Sequence, residues 1–483
     1  MWRTYFKWGL YKIMIKAKKS QVDSFDIIIV GAGIVGCAMA REFTLAGAKV
    51  LTLEKGEDIL DGASKGNSAI LHTGFDAPPN SVEHACIVDS YHEYLSIRKK
   101  LNLPLLKTTA LVTAWTEKEE NLLEGILEKA NLNGIFDAKI INKKEVLAKE
   151  TQLSPVVRAA IYVPREYVID PWTAPNMYML QAIKNGATLL RETEVKAGKY
   201  DGEKWLIETN KGIVKGTNII NCAGLYGDKL DEMLIGKKAF EIRPRKGQFI
   251  VYDKAASQLI NAIILPVPNE ITKGVVICRT IFGNVLVGPT AEEQKSRDDA
   301  SVVHETLESL RLKGEELVPA LKNIPITATF AGIRPATEYK DYCIKHYEEN
   351  NYISVGGIRS TGLSAALGIA KRVFRDFQAY GSQYEPREDI IYPSMIPIAE
   401  TEKRDWQNEG NEGIVCHCEW VTKREISEAL TGDLPVKSLS GLKRRTRVTM
   451  GRCQGFYCSA HLNELTKGRF KKPLAKPIMK ANK

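Results

Sequence analysis

Phe25-Asp26-Ile27-Ile28-Ile29-Val30 is an almost unbroken apolar run, the pattern of a parallel strand covered on both faces. Gly31-Ala32-Gly33-Ile34-Val35-Gly36 follows, and Cys37-Ala38-Met39-Ala40-Arg41-Glu42-Phe43 reads as a helix. A second strand-like run, Lys49-Val50-Leu51-Thr52-Leu53, ends in Glu54. Strand, glycine-rich turn, helix, strand and acid is the order of a dinucleotide-binding βαβ unit. Gly31 is expected to make the tight turn, Gly33 to let backbone approach a pyrophosphate, and Gly36 to let helix and strand pack closely. The helix N-terminus offers N–H groups to phosphates, and Glu54 is placed to accept from a ribose hydroxyl. No second GxGxxG occurs downstream, so a single dinucleotide is expected, NAD or FAD.

Beyond Glu54, the stretch Gly62-Ala63-Ser64-Lys65-Gly66-Asn67-Ser68-Ala69-Ile70-Leu71-His72-Thr73-Gly74 leads through small and hydroxyl residues into a buried-looking turn. Such side chains suit a backbone wrapped around a cofactor. Gln248-Phe249-Ile250-Val251-Tyr252 and Gly274-Val275-Val276-Ile277 predict strands. Residues 381–412, rich in Pro, Glu, Lys, Asn and Gly, read as a linker.

Composition narrows the class. The chain has 483 residues, 44% hydrophobic and 26% charged, as in an ordinary globular protein with a large core. No run approaches the roughly 20 apolar residues of a membrane-spanning helix. The net charge of +10 sits at the ends: residues 1–20 and 467–483 hold thirteen Lys and Arg and no acid, leaving the body near −3. A nucleic-acid-binding face is therefore not expected. Residues 1–24 mix cations with Trp2, Tyr5, Phe6 and Trp8, a pattern shared by solvated tails, interfacial membrane helices and organellar presequences. Cys37, Cys86, Cys222, Cys278 and Cys343 stand singly in apolar stretches, as buried reduced thiols do, so a reducing, cytoplasmic location is expected.

The loop ending in His72 resembles the FAD-dependent glycerol-3-phosphate dehydrogenase/oxidase branch of the D-amino-acid-oxidase superfamily. Further segments match in order: Val168-Ile169-Asp170-Pro171, Asn221-Cys222-Ala223-Gly224, Arg245-Lys246-Gly247-Gln248, and Asn284 through Gly288-Pro289-Thr290. Phe330-Ala331-Gly332-Ile333-Arg334-Pro335 and Gly356-Gly357-Ile358-Arg359-Ser360-Thr361-Gly362-Leu363 complete the set. The resemblance implies an α/β fold with a Rossmann-like FAD-binding domain and an inserted, mostly antiparallel β substrate domain at about 75–150 and 225–330. Residues 25–380 would make up this unit. It implies FAD contacts at Ser64, Asn67, Ser68, Ala223, Gly224, Thr361, Gly362 and Leu363, besides the glycines and Glu54. The last three residues would offer backbone N–H groups to the flavin ring.

Oxidising a secondary alcohol needs a base for the hydroxyl proton while hydride leaves carbon for flavin N5. His72 matches that role, since imidazole titrates near neutrality. Lys273 and Arg334 are carried over as ligands of the substrate anion, a point cation and a planar fork, with Ser68 and Ser360 as hydroxyl donors. Cys278-Arg279 departs from the small-polar–Pro pair of relatives and places an extra cation near the substrate strand. The expected reaction is oxidation of sn-glycerol-3-phosphate or a related polyol phosphate. L-2-hydroxyglutarate or an opine is the alternative substrate, and a non-catalytic electron-transfer subunit the alternative of another class.

Cys416-His417-Cys418 and Cys453-Gln454-Gly455-Phe456-Tyr457-Cys458 bring four thiols from two short loops. Such a set can ligate an iron–sulfur cluster or Zn²⁺. It resembles the [2Fe–2S] domain of the bacterioferritin-associated ferredoxin family, also found fused to flavin dehydrogenases. That resemblance implies a small α-helical domain at 413–466, followed by a basic tail at 467–483, and electrons leaving to an external acceptor or partner subunit. Val421-Thr422-Lys423-Arg424-Glu425 predicts a helix start, with Thr422 and Glu425 forming a capping box.

Overall fold

The computed structural model describes residues 24–268, 274–472 and 474; the expectations for the basic segment 1–23 and for Lys273 lie outside the described residues. The first sheet has a parallel centre. Thr188–Leu190, Val50–Leu53, Ser24–Val30, Gly212–Asn221 and Tyr352–Gly356 lie side by side in that order. Trp205–Thr209 and Val195–Tyr200 extend it as an antiparallel meander, and Cys343–Tyr347 pairs antiparallel with Tyr352–Gly356. Both faces are covered, which accounts for the unbroken apolar strand. Ile27 and Ile29 join the core beneath the helices Ile34–Leu45, Val82–Ile97, Thr173–Lys184 and Gly362–Gln378, whereas Ile28 and Val30 meet Trp205, Leu230 and Tyr352 on the other face.

A second, mostly antiparallel sheet runs Glu292–Glu293, Arg243–Tyr252, Val285–Gly288, Val276–Arg279, Ile263–Pro266, Ala110–Ala114, Ala159–Val163, Lys139–Asn142. Ile326–Ala336 pairs with Arg243–Tyr252 along its whole length. The domains divide differently from the expected boundaries. Ala159–Val163 and the end of Ile326–Ala336 belong to this second sheet. Conversely, the helix Val82–Ile97 packs against Gly362–Gln378 so closely that a Cβ on Gly368 would lie 2.0 Å from the Cys86 carbonyl oxygen. Its Cys86, Ile87, Tyr91 and Tyr94 fill the flavin-side core. Motif positions mark where the chain meets a cofactor but carry no information on which core a helix joins.

The C-terminal unit is a two-stranded ribbon, Ile414–Cys416 with Val421–Thr422, followed by helices Lys423–Thr431, Leu439–Thr446 and Ser459–Leu465. The Thr422/Glu425 capping box is formed, with Thr422 Oγ1 accepting from Glu425 N at 3.1 Å and Glu425 Oε2 from Thr422 N at 2.7 Å. The segment before it is not a solvated tether. Ile398 and Ala399 are buried with Phe282 in the core of the second sheet, and buried Arg404 reaches Glu400 and Glu425.

A polar clasp holds this unit to the flavin-side loop that follows Glu54. Asp58, 4% exposed, accepts from Arg191 Nη1 at 2.9 Å, Lys437 N at 3.0 Å and Ser438 Oγ at 2.6 Å. Arg444 donates to Ile59 O at 3.1 Å. Asp58→Ala leaves Arg191 buried without its acid, so it is expected to weaken docking by about 3–5 kcal/mol. Calorimetry should then separate a lower-melting C-terminal transition from the main one; a single unshifted transition would contradict this.

Candidate active site

The first sheet's central strands end at a cleft of ≈ 630 Å³, within the range of about 300–1,000 Å³ usual for ligand pockets. Gly31 turns with φ +105°, and a Cβ there would lie 2.4 Å from Cys222 O. Gly36 lies behind the cleft, where a Cβ would be 1.9 Å from Gly31 O. No side chain larger than hydrogen fits at either position, so the turn stays flat against the cleft and the helix N-terminus stays close to it. Gly33 lines the cleft, and Ile34 N donates to Ser64 Oγ at 3.0 Å.

Glu54 also lines the cleft, and its carboxylate tightens the turn. Oε2 accepts from Ala32 N at 2.8 Å and Oε1 from Gly56 N at 2.7 Å. Burial pushes the Glu54 carboxyl above its usual range, and the two N–H bonds oppose that shift. Asn67 is a cleft residue that shapes its own loop, donating to Ser64 O at 3.0 Å and accepting from Ala69 N at 2.8 Å. Ser68, Ala223, Gly224, Ser360, Gly362 and Leu363 all face the same space. Thr361 does not line the cleft: it is buried, its hydroxyl bonded to Glu83 and Tyr342 at 2.6 Å each. It anchors the start of the helix Gly362–Gln378, whose N-terminal N–H groups open on the cleft. A narrow glycine turn, an acid at the second strand end and a helix N-terminus at the far end fit an extended flavin dinucleotide.

On the second sheet, Arg334 donates Nη2–H to Thr290 O at 2.8 Å and lines the cleft. Gly247 makes room for it, since a Cβ there would meet Arg334 Nη2 at 2.5 Å. Burial, assisted by Arg245, pulls the guanidinium pKa down to about 10. A cation so desolvated gains from an incoming anion. Arg279 does not join it. Cys278 faces the cleft-side core, with Sγ 3.8 Å from Ser68 O, and the period of two turns Arg279 with Ile277 to the opposite face, toward Glu150.

His72 sits on the turn beside the cleft helix, its N–H donating to Ser364 Oγ at 3.0 Å. Its Nδ1 is 2.7 Å from Glu166 Oε2. Glu166 is fully buried and its Oε1 also accepts from Thr73 N at 2.6 Å and Thr73 Oγ1 at 2.7 Å. A carboxylate on Nδ1 fixes the orientation of the ring; His72 itself is not among the residues that line the cleft. Sequence reading missed Glu166 and Ser364. The available hint was only that Glu166 lies four residues before Asp170 in the Ile-Asp-Pro segment.

The four C-terminal thiols cluster, those of one loop within reach of those of the other. Cys418 interacts with Cys453, and Cys416 with Cys458. Backbone N–H groups of Tyr457, Gly455 and Phe456 point at Cys453 and pull its pKa down against burial, as suits a thiolate ligand. Among the described residues no three ligating side chains close around one ion. Four clustered thiols supply the ligand number of an iron–sulfur group or of a tetrahedral zinc alike.

Comparisons with known proteins agree with this geometry. Residues 26–375 match the family described as FAD dependent oxidoreductase, and residues 414–467 the BFD-like [2Fe-2S] binding domain. Glycerol 3-phosphate dehydrogenase of Caloramator mitchellensis is 31% identical, over 91% of this chain and 93% of that one. One chain of the anaerobic glycerol-3-phosphate dehydrogenase of Escherichia coli (strain K12) is 26% identical, over 92% of this chain and 88% of that one. The solved structure of dithionite-reduced L-alpha-glycerophosphate oxidase from Mycoplasma pneumoniae, with FAD bound, superposes with a TM-score of 0.72. It is 27% identical, covering 77% of this chain and 99% of that one. The chain belongs to the FAD-dependent oxidoreductase family of the D-amino-acid-oxidase type and carries, beyond that fold, a [2Fe–2S] domain.

Proposed function

We propose that the protein oxidises sn-glycerol-3-phosphate to the ketone and passes the electrons through its [2Fe–2S] cluster to an external acceptor. The observation that carries the reading is the His72–Glu166 pair beside a cleft whose substrate side holds the desolvated Arg334. Relatives named for glycerol 3-phosphate support the substrate.

FAD, held by the Gly31 turn, Glu54, the Ser64–Ser68 loop and the Gly362 helix start, supplies the hydride acceptor. Arg334 binds the phosphate, a dianion that restores what burial took from the guanidinium. Ser68 and Ser360 orient the hydroxyls. His72 takes the C2 hydroxyl proton on Nε2, and Glu166 holds the resulting imidazolium from the Nδ1 side. The positive end of the helix Gly362–Gln378 opens on the cleft, where it would stabilise negative charge on a bound flavin.

Anaerobic titration of purified protein tests this directly. Glycerol-3-phosphate is expected to bleach the flavin band first and the iron–sulfur absorbance with it. If 2-hydroxyglutarate or an opine bleaches the flavin and glycerol-3-phosphate does not, the substrate assignment fails. If only dithionite does so, the dehydrogenase reading fails.

A further inference from the structure

The flavin cleft and the cluster loops are joined through one continuous line of contact. Trp172 Nε1–H donates to Lys65 O at 3.3 Å, and Lys65 lines the cleft. Its neighbour Gly66 abuts Gly332, two residues before Arg334, so this is the substrate end of the cleft. Trp172 stacks on Phe282, with ring centroids 5.3 Å apart and planes 14° apart. On Phe282 lies the Arg447 guanidinium, 4.1 Å from the ring centroid. Arg447 Nε in turn donates to Glu419 at 2.8 Å, and Glu419 is bonded in sequence to Cys418.

Packing alone does not call for these residues. Phe282 and Arg447 are each 4% exposed, and a buried ion pair is commonly replaced by apolar side chains without loss of stability. Arg447 also holds a left-handed backbone, φ +67°, at the end of the helix Leu439–Thr446. Strain of that kind at a non-glycine residue points to a function that needs the side chain where it is. Electron transfer between separate centres falls steeply with every empty gap and is sustained through atoms in contact. A stacked pair of π systems closed by a planar cation spans the seam between the two domains without a gap. A buried cation near a cluster also favours the form carrying one more electron, because net charge and polar contacts set its potential.

We propose that Trp172, Phe282 and Arg447 form the contact through which electrons cross from the flavin to the cluster, with Arg447 also easing cluster reduction. This rests on the reading that electrons leave through the cluster. Each crossing takes one electron from the reduced flavin and turns one ferric iron ferrous. A one-electron acceptor, a redox protein or partner subunit, then reoxidises that iron. Two crossings empty the flavin, and its protons pass to water.

The test is anaerobic rapid mixing of the full-length holoenzyme with glycerol-3-phosphate, following flavin and cluster absorbance separately, together with a potentiometric titration of the cluster by electron paramagnetic resonance. Trp172→Leu, Phe282→Leu and Arg447→Gln are compared with wild type and with Trp172→Phe, each at wild-type flavin and iron content. Phe282→Leu probes the same stack should Trp172→Leu lose its flavin. Expected are unchanged flavin bleaching and several-fold slower cluster reduction in both leucine variants. Trp172→Phe should recover the rate, and Arg447→Gln should move the cluster midpoint to lower potential without moving the flavin's. Unchanged cluster reduction and an unchanged midpoint across the variants would overturn the inference alone. A wild-type cluster that stays oxidised beside a bleached flavin would overturn the cluster-exit reading beneath it.

Discussion

His72→Ala is expected to slow substrate-driven flavin reduction by about 10²–10⁴-fold, the usual contribution of a positioned general base, while FAD content stays at the wild-type level. His72 meets the cleft helix through its backbone, His72 N to Ser364 Oγ, a contact that truncating the ring does not remove. Glu166→Gln separates base strength from packing. The amide fills the same buried space, keeps a hydrogen-bonding oxygen and removes the charge that favours the protonated ring. A smaller loss of rate is expected, with the acid limb of the pH–rate profile moved to lower pH, because a ring that holds its proton less firmly stays in the basic form further into acid. Steady-state and rapid-reaction kinetics across pH measure both effects. Full activity in His72→Ala would remove the alcohol-oxidation mechanism, and an opine-type amine substrate would then be favoured.

The second large effect is expected from Cys458→Ala. Cys416 and Cys458 are the more buried of the four, 1% and 2% exposed, and loss of one thiolate removes a quarter of the four-thiolate set. Iron and sulfide analysis should show the cluster lost. Glycerol-3-phosphate should still bleach the flavin, since no residue of the cleft changes. Turnover with a one-electron acceptor should fall to what the flavin alone supports. The small domain also loses stability. Its core is short, built on Val415, Val421, Ile426, Leu430, Leu442, Val448 and Leu462, and metal binding in small domains contributes on the order of 10 kcal/mol to folding. The Asp58 clasp involves none of the thiols, so the domain is expected to melt in place rather than detach. An intact cluster signal in Cys458→Ala would remove that cysteine from the ligand set.

Much of the cleft is legible in the sequence because its chemistry is local. Gly31, Gly33 and Glu54 fall within one βαβ unit, and short-range geometry demands small residues and an acid at those positions. The same holds for Ser64, Asn67 and Ser68 on one loop and for the CxC and CxxxxC loops. Thr361 shows the limit of such reading. Its place in a flavin-facing segment is apparent from its neighbours, but only packing against Glu83 and Tyr342 turns its hydroxyl away from the cleft. Arg279 shows it again, since a charge beside the substrate strand has no meaning until the strand's face is known.

The amino-acid sequence by itself determined the dinucleotide turn, the thiol set and the capping box, each the product of neighbours a few residues apart. Tertiary structure alone decided the rest. It brought Glu166 across 94 residues onto His72, gave the helix Val82–Ile97 to the flavin-side core, and laid Arg447 on Phe282 across the domain seam. Those contacts depend on which apolar faces bury together, and burial is a property of the whole packed chain rather than of any stretch within it.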